Sequence, residues 1–128
     1  LSLQRPGNLT LFESAKPAVA AVDAVARKIG GNRVVAERRD LFRNPLTASE
    51  LGKFDAVVLD PPRAGAAAQC AELAGSKVKK IVYGSCDPGS FARDVRVLQE
   101  GGYRLEKLMP IDQFLWSAHV ELVALLTK

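Results

Sequence analysis

The spacing of apolar and polar positions switches repeatedly between two periods along this chain, and the switches set the order of its elements. Residues 9–12, Leu-Thr-Leu-Phe, read as a short strand that ends at Glu13. Val19, Val22, Ala26 and Ile29 then recur at helical spacing, with Ser14 as N-cap, Pro17 in the first turn and Gly30-Gly31 as the stop. A second strand covers residues 33–37, with Asp40 beyond its carboxyl end. Residues 41–51 read as a loop with a short helical turn after Thr47. Residues 54–59 form an apolar strand in which Asp55 is the polar exception. Asp60-Pro61-Pro62 ends it, because proline cannot donate to a ladder. An alanine-rich helix over 64–74 ends at Gly75, and residues 79–83 form the next strand. A helix over 90–100 is closed by Gly101-Gly102. A strand over 103–111, a connection over 113–117 and a strand over 119–126 complete the pattern.

Helices that alternate with strands, followed by two strands in succession, predict an α/β fold. Its sheet is mostly parallel, with a C-terminal antiparallel hairpin. Parallel strands are expected to be buried on both faces, and Val57-Val58-Leu59 and Ile81-Val82 fit that expectation. The length of 128 residues, without repeat or linker, predicts a single domain over 1–128. No apolar run approaches the roughly 20 residues of a membrane span, and no charged start precedes an apolar signal core. The reading is a cytoplasmic protein with no membrane partner. Cys70, Cys86 and the one histidine lack the spacing of metal ligands, so no metal is expected and both thiols are read as reduced. A net charge of +4 and a pI near 9.3 suit a nucleic-acid partner without pointing to one.

Four candidate residues fall at strand ends: Glu13, Asp40, Asp60 and Cys86. The carboxyl ends of parallel strands share one rim, which is where open α/β sheets place chemistry. Each has a plainer reading. Glu13 suits a helix N-terminus, Asp40 suits the cap of the following turn, and Cys86 suits a small buried hydrophobe. The neighbours of Cys86 (Gly84, Ser85, Asp87 and Pro88) are loop residues and argue for the loop. In Asp60-Pro61-Pro62-Arg63 the two prolines hold a carboxylate and a guanidinium with little entropy left to lose on binding.

Asp60-Pro61-Pro62-Arg63-Ala64-Gly65, then Ser85-Cys86-Asp87-Pro88 with Phe91-Ala92-Arg93-Asp94, then Asp112-Gln113-Phe114 and His119-Val120-Glu121, occur in that order. Together they resemble the catalytic half of the S-adenosylmethionine-dependent RNA uracil-5 methyltransferases, which make 5-methyluridine in ribosomal and transfer RNA. The resemblance covers residue 54 to the C-terminus. It implies a Rossmann-like class I methyltransferase sheet. It also implies Cys86 as nucleophile, Glu121 as base and Asp60 as an active-site acid that also meets the cofactor. Glu13 would hold the cofactor's ribose and Asp40 its adenine. Arg63, Asp87 and Pro88 would meet the RNA, ribosomal in preference to transfer RNA. Asp87 stands where many members carry asparagine. Without the resemblance, Glu121 is an ordinary surface glutamate. His119 and Cys70 are read as structural, and at least one of Phe114 and Trp116 as core.

The chemistry asks for these residue types. Carbon 5 of uracil attacks a methyl sulfonium poorly. A thiolate added at carbon 6 makes the ring an enolate and activates carbon 5, and a base must then take the proton from carbon 5. One part of the family pattern is missing: no Gly-x-Gly segment follows a first strand, and the sequence starts at or just before what would be the second strand. The expectation is a fragment or shortened relative that lacks the first strand and the glycine-rich loop. Two strand edges are then left open, and a homodimer forms if a second chain replaces the missing strand. The competing reading is a catalytically inactive RNA-binding or dimerising domain.

Overall fold

The computed structural model describes residues 7–29, 33–112 and 120–128. The chain divides between Asn44 and Pro45 into two units, each built on its own sheet.

In the first unit, β1 (Leu9–Glu13) leads through α1 (Lys16–Ile29) to β2 (Val34–Arg38). The two strands pair in parallel from Leu9 opposite Val34 to Glu13 opposite Arg38. The crossover helix exists because Val19, Val22 and Ala26 recur on one face and are half-buried, while Ala20 and Ala24 between them are exposed. Arg27 and Lys28 in the last turn suit the negative end of the helix dipole.

The second unit runs α2 (Ala48–Leu51), β3 (Ala56–Leu59), α3 (Ala67–Ala74), β4 (Lys80–Ser85), α4 (Pro88–Glu100), β5 (Arg104–Asp112) and β6 (Val120–Thr127). The short α2 forms where Thr47 and Glu50 make a reciprocal capping box, which supplies two of the N–H groups that a helix start leaves open. The sheet order is β3-β4-β6-β5. β3 and β4 are parallel, with Leu59 opposite Tyr83. β6 enters between β4 and β5, antiparallel to both. The expected hairpin is present, and its second strand lies against the parallel pair. The first sheet is two-stranded, and among the described residues β3 and β5 are the edge strands of the second.

Side chains along β4 alternate strictly. Ile81, Tyr83 and Ser85 are buried; Lys80 and Val82 are exposed. Leu126 and Ala124, opposite Ile81 and Tyr83, join the same buried face. Against it pack Cys70 and Leu73 of α3 and Phe91, Val95 and Leu98 of α4. Tyr83 meets Phe91 edge to face at 5.5 Å between ring centres. The other face departs from expectation: Val58 is 73% exposed and Val82 36%. Burial on both faces needs a helix layer on each side, and α3 and α4 both belong to the face of Ile81 and Tyr83. A run of three apolar residues does not reveal that one of them faces outward.

Candidate active site

The second unit brings three of the candidate residues to one end of its sheet. β3 and β4 are parallel, so the residue after Leu59 comes level with the residue after Tyr83. That pair is Asp60 and Gly84. A side chain at Gly84 would place its Cβ 3.4 Å from Asp60 Oδ1, so the bare glycine leaves the carboxylate room against β4. β4 and β6 are antiparallel, and their last pair at this end is Ser85 with Leu122. The next residues outward are Cys86 and Glu121. Asp60, Cys86 and Glu121 thus occupy neighbouring positions on three adjacent strands.

The turn that carries Cys86 is fixed on both sides. The Ser85 hydroxyl donates to the Asp87 carbonyl at 3.0 Å and accepts from the Asp87 N–H at 3.1 Å. Asp87 is the N-cap of α4, and its carboxylate accepts from the Ser90 N–H at 2.9 Å. Pro88 follows in the first turn, where its missing N–H costs nothing. The hydrogen bonds from Ser90, with Arg63 and Arg93 nearby, hold the Asp87 carboxyl below its ordinary value. Cys86 is half-buried, at the positive end of a 13-residue helix. The Arg63 guanidinium, largely in solvent, stands 3.9 Å from the part-buried Asp87, so the pair contributes little to stability and leaves Arg63 available to a ligand. The two loops, 60–66 and 86–90, face each other.

α4 holds the first of these loops from behind. The Asp94 carboxylate, fully buried, accepts from the Ala66 N–H and the Tyr83 hydroxyl, both at 2.6 Å. Arg93 donates to its other oxygen from Nε and Nη2 at 2.9 and 2.8 Å, and from Nη2 to the Ala64 carbonyl at 2.8 Å. The Ser90 hydroxyl donates to the Arg63 carbonyl at 2.8 Å. Burial and the Asp94 bond push the Tyr83 hydroxyl far above its ordinary value, so it stays a donor. The sequence pattern marked Arg93-Asp94 only as part of a resemblance and Tyr83 only as strand. The usable signal was an aspartate on the apolar stripe Phe91, Val95, Leu98. Cys70 lies wholly inside, as expected. Burial, with the Asp94 charge, pushes its thiol up to about 12, which makes it inert beside Cys86.

Glu13 and Asp40 belong to the first unit, at the carboxyl side of its parallel pair. Glu13 Oε1 accepts from the Ala15 N–H at 2.9 Å and the Ser14 hydroxyl at 3.3 Å, chiefly the former holding its carboxyl below the usual range. Asp40 Oδ1 accepts from the Phe42 N–H at 3.0 Å, and Arg43 stands 3.8 Å from Oδ2. Each acid closes its own turn, and each is pinned at a strand end by that bond. Phe114, Trp116 and His119 lie outside the described residues. Among those described, no group of three His, Cys, Asp or Glu is placed to hold a metal ion, and no helix is long and apolar enough to cross a membrane.

Residues 32–128 match the model of a family described as tRNA (uracil-5-)-methyltransferase. An uncharacterized RNA methyltransferase of Agrobacterium fabrum is 55% identical over 129 residues, which is 100% of this chain and 31% of that protein. A 23S rRNA uracil-C5 methyltransferase of Chromohalobacter salexigens is 38% identical over 97% of this chain and 26% of its own length. Among solved structures, the Pyrococcus abyssi tRNA (uracil-54, C5)-methyltransferase in complex with S-adenosyl-L-homocysteine superposes with a TM-score of 0.73 at 34% identity, over 94% of this chain and 29% of that one. The chain thus spans about a third or less of these relatives.

Proposed function

Since the chain belongs to the tRNA (uracil-5-)-methyltransferase family, we propose that it is part of a methyltransferase catalytic domain that methylates carbon 5 of a uridine in RNA. Cys86 is the nucleophile of this reading, Glu121 the base and Asp60 an acceptor beside them. The observation that carries it is the register of β3, β4 and β6, which makes these three residues neighbours at one sheet end.

The Cys86 thiolate adds to carbon 6, and the electron pair of the carbon 5–carbon 6 bond moves onto the oxygen at carbon 4 as an enolate. The enolate makes carbon 5 the nucleophile. S-adenosylmethionine supplies, when bound, the electrophilic methyl on its sulfonium. Glu121 then accepts the proton from carbon 5; the double bond re-forms and the thiolate leaves. Asp60, rigid before its prolines, accepts a hydrogen bond from the bound ligands. The N-terminus of α4 and Arg63 favour anions at this rim, where the RNA backbone and the enolate bring negative charge. Asp87 and Pro88 shape the wall that the flipped base meets.

Glu13 and Asp40 suit the cofactor's nucleoside. Each is a carboxylate at a strand end, fixed through one oxygen by a backbone N–H, and carboxylates pair with ribose hydroxyls and an adenine amino group, which are donors. No Gly-x-Gly loop stands in this sequence to cradle the rest, so isolated residues 1–128 should give little heat with S-adenosylmethionine in calorimetry. Ribosomal RNA is the preferred substrate, supported by the rRNA-modifying relative, with the cytoplasm as the place of action.

The test is 5-methyluridine formation by the full-length protein carrying this segment, read by mass spectrometry on unmodified ribosomal and transfer RNA. Methylation of ribosomal RNA that Cys86→Ala abolishes supports the reading. Methylation of transfer RNA alone overturns the substrate, and a fully active Cys86→Ala overturns the mechanism. The edge of β3, unpaired among the described residues, with Val58 73% exposed, favours a second reading, an inactive dimerising domain. Sedimentation of residues 1–128 as a dimer, with no methylation by the full-length protein, would favour it.

A further inference from the structure

Three residues in the first two turns of α4 grip three backbone groups of the loop after Asp60. Ser90 holds the Arg63 carbonyl at 2.8 Å, Arg93 the Ala64 carbonyl at 2.8 Å and Asp94 the Ala66 N–H at 2.6 Å. Between them sits Gly65 at φ +80°, where a Cβ would fall 2.6 Å from both Arg93 Nη2 and Asp94 Oδ2. Only glycine takes that conformation cheaply and allows that approach. The same carboxylate takes the hydroxyl of Tyr83, three residues before Cys86 on β4. One side chain therefore ties the Asp60 loop, the strand that ends at Cys86 and the helix that starts after it.

Stability alone does not account for this arrangement. A fully buried carboxylate loses its hydration, and apolar side chains of similar volume hold a core at least as well. Apolar packing cannot fix individual backbone groups of a loop; directional hydrogen bonds to a charged acceptor can. We propose that Asp94 is a positioning residue for the reaction proposed above, setting the Asp60 loop against the Cys86 turn through Ala66, Tyr83 and Arg93. It touches neither RNA nor cofactor. The inference rests on the uracil-5 reading, and a misplacement of about 1 Å at such a site costs up to ~100-fold in rate.

The test uses the full-length protein with Asp94→Asn, Tyr83→Phe and Ser90→Ala. Steady-state kinetics on the RNA substrate are joined to the single-turnover rate of adduct formation with 5-fluorouridine RNA. The amide of Asp94→Asn presents two N–H groups to Arg93 or Tyr83, which are donors themselves, so the grip on the loop slackens. The expected result is a fall in kcat of about 10–100-fold in Asp94→Asn and less in the two milder variants, with KM for RNA within about twofold and adduct formation slowed in proportion. Folded Asp94→Asn at wild-type kcat, or a loss seen in KM alone, overturns the proposal while leaving the uracil reading intact. Should Asp94→Asn not fold, Tyr83→Phe decides, since it removes the single hydroxyl that Asp94 holds: a slower adduct at unchanged KM supports the proposal and a wild-type rate overturns it. A wild-type protein that forms no adduct overturns the uracil reading and this inference with it.

Discussion

Replacing Gly84 by alanine and then by valine should separate the fold from the chemistry. Gly84 lies on the outward face of β4, alternating with the buried Tyr83 and Ser85, on the same side as the part-exposed Val82. It has no positive φ, so a side chain there brings no backbone strain. A glycine inside a strand costs about 0.5–1 kcal/mol relative to alanine, and β-branched residues suit strands better still. Both variants should therefore be as stable as the parent or more stable by up to about 1 kcal/mol. The site is affected differently. An alanine Cβ would stand 3.4 Å from Asp60 Oδ1, an ordinary contact. The valine Cγ atoms reach about 1.5 Å beyond Cβ, so a Cγ on the Asp60 side crowds the carboxylate, and a displacement of Asp60 by about 1 Å costs up to ~100-fold in rate. Urea melts give stability, and single-turnover methylation by the full-length protein gives the chemical step. Alanine near wild type with valine stable but slower by one to two orders of magnitude is the expected pattern. A valine variant with wild-type turnover, or one that loses stability and activity together, would refute the placement of Asp60 against β4.

Tyr103→Phe removes a buried hydroxyl that donates to the Val78 carbonyl at 2.7 Å and lies 3.3 Å from the Ser76 hydroxyl. Leaving those groups short of a partner should cost roughly 1–3 kcal/mol in chemical denaturation without changing the kinetics. The carboxyls of Glu13 and Asp87 are both held below their ordinary values by backbone N–H groups. In the acid range the unfolded chain then binds more protons than the folded one. Their contribution to stability is complete above the unfolded values of about 4 and is lost as pH falls through the lowered folded values. Urea midpoints taken from pH 6 down to 2 should decline in that window, and the double variant Glu13→Gln with Asp87→Asn should flatten the decline.

The order of elements was legible because each strand ends in a residue that stops it. Asp60-Pro61-Pro62 closes β3, and Ser85-Cys86-Asp87-Pro88 turns β4 into α4. The site was legible as far as strand ends went: Asp60 and Cys86 stood out by position, while Glu121 needed the family motif. Its place beside Cys86 comes from β6 lying between β4 and β5, and no local pattern encodes which neighbour a C-terminal strand takes. The Asp94 network was hidden for the same reason. Ala64, Ala66, Tyr83, Arg93 and Asp94 come from three segments, and their meeting depends on α4 folding back over the loop after β3. The outward face of Val58 was misjudged because a continuous apolar run has no period from which to read its exposed side.

The central claim is that Cys86 attacks carbon 6 of a uridine and that Glu121 completes the reaction. A fluorine at carbon 5 leaves Glu121 no proton to take, so the reaction should halt at the covalent stage. Full-length protein incubated with S-adenosylmethionine and 5-fluorouridine-substituted RNA should yield an adduct stable to denaturing electrophoresis, with mass spectrometry placing the cross-link on Cys86. Cys86→Ala should give none, and Glu121→Gln should accumulate an adduct even on unmodified RNA. No adduct with the parent protein, or an adduct that persists in Cys86→Ala, would contradict the account.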